Sequence, residues 1–357
     1  MNIVFSNTIF FLQKKGGISR YYINLCKEFK KIKINSKIIA PISKNIYLKN
    51  LKQNNFSFYL SSFPNNVLLK KLNYFLFRLF LKKENPDIIH ETYYDKDNLK
   101  ILKDKLKILT IYDLVHENFT SFYSKKKLLE KKNILEYVDH FICISKRTQK
   151  DFIKHYEIPL YKTSVIYLGC DHLKKNSKKE LGIKLPRNYF LYVGSRDNYK
   201  NFKLLVEAVN SSKKFRNIKV ICFGGGKFSQ DEIKKYKLGD NFINYQGSDN
   251  LLTHLYIGAI AFINTSKYEG FGIPNIEAMH LGCPVISSDF EALREVGGNA
   301  CLYFKNDNYL DLLKKINFFL LNKEARKIFI KKGHKRSKLF TWKNCAKQTK
   351  DLYKNLI

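Results

Sequence analysis

Two glutamates stand out as residues that could do chemistry, and both lie in residues 266–284, SKYEGFGIPNIEAMHLGCP. Pro274 suits the first position of a helix and Gly282 suits its end, so a helix is predicted between them. Glu269 then lies on the preceding loop, and Glu277 lies in the first turns of the helix. The two oxygens of a carboxylate at that place can accept hydrogen bonds from two neighbouring hydroxyl groups of a sugar.

The backbone just before this helix could hold an anion or a sugar. The amides of Phe271 and Gly272 lie at the predicted helix start, where the helix dipole favours negative charge. The same residues are also compatible with an ordinary solvent-facing loop followed by an ordinary glutamate. Which of the two applies depends on the secondary-structure elements that position these residues.

Short apolar runs alternate with helical stretches along the whole chain. The runs are typical of buried parallel strands, and they lie at 3–5, 37–41, 87–90, 107–112, 140–145, 165–169, 189–194, 218–223, 242–245, 259–263, 284–287 and 300–304. Two such series, joined by a polar Lys-rich stretch, predict an α/β protein with two doubly wound Rossmann-like domains. Ligands of these domains bind outside the carboxyl ends of the strands, where the polar motifs of this chain lie.

The composition is that of a globular protein with an unusual charge. The chain has 357 residues, of which 45% are hydrophobic, and its formal net charge is +34. Only nine of its 65 basic residues are arginines, which disfavours a specific nucleic-acid binder because Arg supplies bidentate base and phosphate contacts. An anionic membrane surface, an acidic substrate and the codon bias of an AT-rich genome remain as explanations.

The cysteines and the hydropathy bear on location. Seven scattered cysteines without a C-x-x-C pair predict buried free thiols in a reducing compartment, so a cytoplasmic location is expected. No stretch of 18 apolar residues occurs, so no segment is expected to span a bilayer. A peripheral position on the inner face of the plasma membrane is compatible with both observations.

The chain as a whole closely resembles the family 4 retaining glycosyltransferases, which have the GT-B fold of two domains facing across a cleft. The stretch that begins EGFGIPNIEAMHLGCP at Glu269 is similar to the signature of that family. Residues 16–21, GGISRY, resemble its N-terminal glycine loop and helix, and residues 192–201 resemble its first donor-side loop. Residues 87–95 and 112–117 look like acceptor-side loops of mannosyltransferase-like members.

The resemblance implies a role for each matched residue on the donor side. Arg196 and Lys200 would cradle the donor diphosphate and stabilise the charge of the leaving group. Glu269 would face the transferred sugar, and Glu277 would hold the ribose. The implied catalytic residues are Glu269, Arg196 and Lys200, and the implied donor-binding residues are Gly16, Gly17, Phe271, Gly272 and Glu277.

On the acceptor side the resemblance implies Tyr94, Asp113 and His116. Many members of the family carry His-Asp where this chain has Tyr112 followed by Asp113. If His116 does not fill the role of that histidine, a contact to a sugar hydroxyl is missing or replaced. Asp113 as a loop cap and His116 as a surface residue are the alternatives.

The domains are predicted from the same pattern. Residues 1–168 form an acceptor-side domain, 169–180 a linker and 181–338 a donor domain that binds the nucleotide sugar. Residues 339–357 form a C-terminal helix that packs back toward the N-terminal domain.

The implied function is metal-independent, retaining transfer of a hexose from a nucleotide sugar, with no cofactor. GDP-mannose is the first choice of donor and a UDP-hexose the second. The expected acceptor is a glycan or lipid-linked glycan of lipopolysaccharide or another surface polysaccharide, and no nucleic acid partner is expected. The alternatives are a nucleotide-sugar 2-epimerase of similar fold and a Lys-rich nucleic-acid-binding protein.

Three weaker patterns remain. Asp95-Lys96-Asp97 is the metal tripeptide of the other major glycosyltransferase fold, but no metal is expected here. Residues 224–226, GGG, lack the dinucleotide-binding spacing and favour a close-approach turn near the nucleotide. Residues 68–83 carry an apolar stripe with lysines at 70, 71, 82 and 83, which suits either a membrane interface or a helix packed on the core.

Overall fold

The structure, a computed structural model, describes residues 1–51, 56–63, 67–102, 104–123, 125–174, 184–196, 198–212 and 218–357. The chain forms two compact units. The first comprises Met1–Leu168 together with Trp342–Ile357, and the second comprises Gly169–Thr341. Residues 175–180 of the predicted linker lie outside the described residues.

The first unit is built on a parallel sheet. Among the described residues its strands are β1 Asn2–Phe5, β2 Asn35–Ser43, β3 Phe56–Tyr59, β4 Ile88–Glu91, β5 Leu106–Ile111, β6 His140–Cys143 and β7 Thr163–Val165. Their order in the sheet is β3-β2-β1-β4-β5-β6-β7. The central strands are apolar on both faces because helices cover both, as expected for a parallel sheet.

Helices connect these strands. They are α1 Thr8–Leu12, α2 Gly17–Lys31, α3 Ile46–Lys49, α4 Val67–Glu84, α5 Lys96–Leu99, α6 Val115–Asn118, α7 Lys125–Lys132 and α8 Lys146–Tyr156. Ser145 caps α8 by accepting a hydrogen bond from the Thr148 amide. Asp95 caps α5, so the Asp-x-Asp tripeptide begins a short helix.

The second unit has the same architecture. Its described strands are β8 Tyr189–Val193, β9 Lys219–Phe223, β10 Phe242–Tyr245, β11 Phe262–Asn264, β12 Val285–Ser288 and β13 Cys301–Phe304, in the order β10-β9-β8-β11-β12-β13. Its helices are α9 Phe202–Asn210, α10 Gln230–Tyr236, α11 Asp249–Gly258, α12 Ile273–Leu281, α13 Glu291–Gly297, α14 Tyr309–Leu321 and α15 Lys323–Ser337. The predicted class of two parallel-sheet Rossmann-like domains is confirmed.

The last helix, α16 Trp342–Leu356, belongs to the first unit. Its Tyr353 hydroxyl lies 2.5 Å from Nδ1 of the buried His90, and its Trp342 ring packs against Tyr21. Desolvation lowers the pKa of His90 to about 3, so this histidine is neutral and serves the core.

Two predicted strands are displaced. The run 165–169 begins at Val165, the last residue of β7, and the run 259–263 largely precedes β11. Ile166, Leu168 and Ala261 are nonetheless buried. Both runs are apolar because they pack in the core, and apolarity alone cannot tell a buried strand from a buried connection.

Each sheet has one place where the strand order reverses. In the first unit β2 and β4 lie on opposite sides of β1, so the first switch point lies between β1 and β4. In the second unit β9 and β11 flank β8, so the second switch point lies between β8 and β11. Loops that leave adjacent strands in opposite directions open a crevice there, and ligands of this fold bind in it.

All seven cysteines are buried and free, as predicted. Within the described residues, no helix combines the length and the apolar character needed to cross a bilayer.

Candidate active site

The second switch point brings together two residues that were predicted to be catalytic. Lys200, on the loop after β8, places Nζ 2.7 Å from Oε1 of Glu269, on the loop after β11. Both side chains are mostly buried, with 17% and 13% of their surface exposed. The Ser266 hydroxyl donates to the same carboxylate oxygen at 2.7 Å. A cation and a carboxylate are thus held together where the fold binds ligands.

Backbone contacts fix the two loops against each other. The Thr265 hydroxyl donates to the Lys200 carbonyl at 2.8 Å, and the Lys267 amide donates to the Tyr199 carbonyl at 2.7 Å. Asn264 supports the turn because its Oδ1 accepts from the Ser266 amide. The Lys200–Glu269 pair therefore rests on a rigid frame.

Glu277 lies on α12, two residues beyond the first turn, and is buried. Its Oε1 lies 3.0 Å from Nε2 of His172, and its Oε2 accepts from the Tyr256 hydroxyl at 3.2 Å. Neither partner was predicted. His172 lies in the predicted linker 169–180, and Tyr256 lies on α11 and gives no signal in the sequence.

The start of α12 differs slightly from the prediction. Ile273 is its first residue and Pro274 its second, while Gly282 ends it with a φ of +81°, as predicted. Gly272 precedes the helix with a φ of +94°, and a Cβ there would come within 2.5 Å of Leu293. The Phe271 side chain is buried against Phe340, so only its backbone could serve a ligand. The donor-binding role of these amides stays a prediction.

Arg196, the third predicted catalytic residue, makes its contacts on the other side of β8. Its guanidinium pairs with Glu232 and with carbonyl oxygens of the loop after β9. The structure thus brings Lys200 to Glu269 and directs Arg196 to the glycine run 224–226.

In the first unit, Gly16 and Gly17 lie at the start of α2. A Cβ on Gly16 would meet the side chain of Gln13 at 2.4 Å, and Gln13 in turn accepts a hydrogen bond from the Ser19 amide. A larger residue at 16 would therefore displace the contact that shapes this loop. The predicted role of both glycines in donor binding stays untested by this geometry.

Lys131 connects two of the predicted acceptor-side residues, Tyr94 and Asp113. The lysine is 2% exposed, and its Nζ lies 5.0 Å from the Tyr94 ring centre and donates to the Asp113 carbonyl at 3.0 Å. It forms a 2.7 Å ion pair with the buried Glu117. Nothing in the sequence indicates this role, because Lys131 lies in the run KKKLLEKK among similar lysines.

Among the described residues, no hydrogen bond joins His116 to Tyr94 or to Asp113. Its ring packs edge-on against Tyr123 with 4.5 Å between centres, and desolvation lowers its pKa. Asp113 caps its own loop, since its Oδ1 accepts from the Val115 amide at 3.1 Å. The sugar-binding roles of both residues stay predictions.

The first switch point holds a pocket of about 350 Å³, the size of a small-molecule site. Tyr93 and Tyr94 line it after β4, and Asn7 and Phe11 line it after β1. Among the described lining residues are three carboxylates and two lysines, namely Asp95, Asp97, Glu130, Lys70 and Lys96. No group of three or more potential metal ligands occurs in the described part of the chain.

Glu91, at the end of β4, braces the floor of this pocket. Its carboxylate accepts from the Ser6 hydroxyl at 2.6 Å and from the Asn98 amide at 2.9 Å. Burial raises the pKa of Glu91 to about 7 from its ordinary value of 4.5. Asn98 and Asn7 share a further hydrogen bond at 2.9 Å, so the floor is a connected polar network.

Two models of known protein families together match nearly all of the chain. Residues 15–172 match the family described as "Glycosyltransferase Family 4", and residues 174–336 match "Glycosyl transferases group 1". O-antigen chain mannosyltransferase B of Escherichia coli is 27% identical over 248 residues, which are 66% of this chain and 64% of that protein. O-antigen chain mannosyltransferase RfbU of Salmonella typhimurium is 27% identical over 65% of this chain and 64% of its own length.

The matches therefore span less than two thirds of the length of these two mannosyltransferases. Among solved structures, Anabaena HepE in complex with UDP and glucose superposes with a TM-score of 0.78 at 17% identity, covering 99% of this chain and 100% of that one. This likeness establishes the fold.

Proposed function

We propose, since this chain belongs to the family 4 glycosyltransferases, that it transfers a hexose from a nucleotide sugar to a glycan acceptor in surface polysaccharide synthesis. The observation that carries the proposal is the Lys200–Glu269 pair at the second switch point. The preferred donor is GDP-mannose, because the O-antigen relatives are mannosyltransferases. A UDP-hexose is the second candidate, because HepE holds UDP and glucose.

In this reaction the bond between the sugar C1 and the diphosphate oxygen breaks, and its electron pair leaves with the nucleoside diphosphate. The acceptor hydroxyl bonds to C1 on the same face, and its proton passes to the departing phosphate oxygen. Lys200 offsets the charge that builds on the diphosphate, and Glu269 stabilises positive charge on the sugar ring. A cation supplied by the chain itself supports the proposal that no metal is needed.

Glu277 is the proposed ribose ligand. Its two oxygens now have partners in His172 and Tyr256, so the ribose hydroxyls would join or replace these contacts. His172 then becomes a second candidate for contact with the nucleotide.

The pocket at the first switch point is the proposed acceptor site. Its lining carboxylates outnumber its lysines by three to two in a chain of net charge +34. A phosphate or a uronic acid is disfavoured there, and a neutral or amino sugar is favoured. Tyr93 and Tyr94 offer aromatic faces, and the amide of Asn7 offers a hydrogen bond to a sugar hydroxyl, while the Asn98 amide already donates to Glu91 and Asn7.

We also propose that α4 docks on an anionic membrane surface. Leu68, Leu72, Phe75 and Leu79 recur at helical spacing and are exposed by 77, 47, 56 and 50%. The opposite face packs inward through Asn73, Phe77 and Leu81, so the helix is apolar on both sides. The lysines at 71, 82 and 83 could attract anionic headgroups beside the exposed stripe, at about 1 kcal/mol each, and Lys70, which pairs with Asp95 at 3.4 Å, adds to the charge of the helix.

Co-sedimentation with anionic and neutral liposomes at low and high salt tests this docking. The variant changes the lysines at 70, 71, 82 and 83 to Glu, and the matched control changes exposed lysines of the second unit, at 323, 331, 335 and 338, to Glu. Only the first variant should lose binding to anionic liposomes. Equal binding by both variants would place the docking elsewhere, and no binding by the wild type would leave codon bias as the source of the charge.

The enzymatic proposal is tested by a thermal-shift panel of GDP, UDP and ADP sugars, followed by a transfer assay. A ligand that binds the folded state raises the melting temperature, and 100-fold saturation adds about 2.7 kcal/mol of stability. Transfer of mannose with retained anomeric configuration is expected, and activity should survive EDTA. An epimerised nucleotide sugar without transfer would favour the 2-epimerase, and a steep salt slope of DNA binding without sugar turnover would favour the nucleic-acid binder.

A further inference from the structure

The contacts of Arg196 are unusual for a residue assigned to a substrate phosphate. Its Nε donates to Glu232 Oε1 at 2.7 Å and its Nη2 to Glu232 Oε2 at 3.0 Å, which is a bidentate pair. Both Nη atoms also contact carbonyl oxygens of Gly224, Gly225, Gly226 and Lys227, at 3.0 to 3.3 Å. Every nitrogen of the guanidinium is thus directed at a protein acceptor.

Packing holds the guanidinium in this place. The Arg196 side chain is 4% exposed, and its Cζ lies 4.8 Å above the centre of the Phe228 ring. Glu232 is fixed by the capping box at the start of α10, in which Ser229 and Glu232 cap each other. The salt bridge with Arg196 lowers the pKa of Glu232, so the carboxylate is charged at neutral pH.

The loop that Arg196 binds is a glycine run in left-handed backbone conformations. Gly224, Gly225 and Gly226 have φ values of +92°, +68° and +81°. A glycine run pays a large entropic cost to adopt one conformation. At Gly225 a Cβ would come within 2.8 Å of Arg196 Nη1 and 2.9 Å of the Gly194 carbonyl, so the guanidinium and this loop fit closely.

The two cations of the loop after β8 face opposite neighbours. Lys200 reaches across the second switch point to Glu269 after β11, whereas Arg196 reaches the loop after β9, on the far side of β8. Only the Lys200 side is the crevice in which such sheets bind their ligands.

We infer that Arg196 is a positioning residue, not a ligand of the diphosphate. With Glu232 it clamps the loop 224–227 beside the donor site, and Lys200 supplies the charge that meets the leaving group. This inference rests on the proposed nucleotide-sugar donor.

The two roles of Arg196 predict opposite changes in nucleotide affinity for the substitution Glu232→Gln. If Arg196 binds the diphosphate, Glu232 competes with it, so Glu232→Gln leaves nucleotide binding unchanged or tightens it. If Arg196 clamps the loop, Glu232→Gln weakens binding, because the clamp loses its charged partner. Arg196→Lys also distinguishes the two roles, because a lysine keeps the charge but cannot donate to several carbonyls at once. A clamp should therefore fail with lysine, whereas a diphosphate ligand should largely keep its affinity.

The experiment measures dissociation constants of GDP and UDP by calorimetry on the full chain, together with the KM values of donor and acceptor. The variants are Glu232→Gln, Arg196→Lys, Arg196→Gln and the double variant Arg196→Gln/Glu232→Gln. The matched control is Glu207→Gln, which removes the exposed pair of Lys203 and Glu207 on α9. Melting curves verify that each variant is folded, and hydrogen exchange reports the order of the loop 224–227.

We expect Glu232→Gln and both Arg196 variants to raise the nucleotide dissociation constant and the donor KM about tenfold, a typical coupling within one network. The double variant should be no worse than the worse single one, and the acceptor KM should not change. Unchanged or tighter binding by Glu232→Gln, or wild-type binding by Arg196→Lys, overturns the inference while leaving the proposed donor intact. A wild type that binds neither nucleotide overturns the proposed donor, and the inference falls with it.

Discussion

The two switch points have the same topology and opposite character. The first, between β1 and β4, keeps a pocket of about 350 Å³ with a polar floor. At the second, between β8 and β11, the Lys200–Glu269 pair joins the two loops. The first crevice is the proposed acceptor site, and the second presents a lysine and a carboxylate at the proposed donor site. A shared fold thus places the sites, and a few side chains decide their chemistry.

The burial of the two glutamates sharpens this contrast. Glu91 at the first switch point accepts from the neutral Ser6 and Asn98, and burial, followed by the nearby Asp95, raises its pKa to about 7. Glu269 at the second has a lysine at 2.7 Å. The first carboxyl group serves the scaffold, whereas the second lies directly beside a cation at the candidate site.

The largest expected effect comes from removing the charge at the second switch point. Lys200→Ala should lower kcat by about 10² to 10³, the usual loss when a preorganised electrostatic contact to a transition state is removed. Lys203→Ala, which breaks only the exposed pair with Glu207, should leave kcat unchanged. Steady-state kinetics with the active donor would measure both, and an active Lys200→Ala enzyme would contradict the assigned role.

A smaller effect is expected at Glu277. Glu277→Ala should weaken donor binding by about 1.5 to 3 kcal/mol, the scale of hydrogen bonds to charged groups. His172→Ala, which removes the 3.0 Å contact to the same carboxylate, should have a smaller effect in the same direction. Calorimetry with the nucleoside diphosphate would measure both. Unchanged affinity for Glu277→Ala would remove it from the donor site.

The pH dependence of stability tests the first switch point. Because the folded-state pKa of Glu91 is raised to about 7 from 4.5, the folded protein holds a proton there that the unfolded chain has released. The contribution of this proton to the free energy of unfolding is fully present below pH 4.5. It falls between pH 4.5 and 7 by up to about 1.4 kcal/mol per pH unit and is absent above pH 7.

Denaturant unfolding of the wild type and Glu91→Gln at pH 5, 6 and 7 would measure this fall. Between pH 5 and 7, the unfolding free energy of the wild type should fall relative to that of Glu91→Gln as the pH rises. A difference that stays constant would mean that Glu91 is already charged in the folded state at pH 5.

The smallest effect is expected in the pocket itself. Asp95→Asn keeps a good N-cap for α5 but removes one carboxylate, so the acceptor KM should rise by about fivefold, the loss of roughly 1 kcal/mol. The donor KM should not change. A rise in the donor KM instead would show that this pocket belongs to the nucleotide sugar, and the comparison between the two switch points would be reversed.

Much of the site could be predicted because its signals are local. The Pro274 and Gly282 signals placed α12, and with it Glu269 on the loop and Glu277 on the helix. The alternation of apolar runs with helices predicted both parallel sheets. The strands predicted at 165–169 and 259–263 exist as β7 and β11 but with displaced bounds, because a buried apolar residue does not have to pair in a sheet.

The partners of these residues were not predictable. Glu277 meets Tyr256 from α11, Lys131 from α7 joins Tyr94 and Asp113, and Arg196 meets Glu232 from α10. Each pair joins separate elements of the chain, and nothing in the local sequence marks one lysine or tyrosine among its many equivalents.

The sequence by itself therefore determined the fold class, the family resemblance and the positions of the residues that could act. The tertiary structure alone decided which side of β8 each cation of one short loop faces, since that depends on the strand order β9-β8-β11. The physical reason is that the effect of a charged side chain depends on the groups that surround it in space. Periodicity and capping fix the backbone over a few residues, whereas the electrostatic environment of a side chain is assembled from strands that lie far apart in the chain.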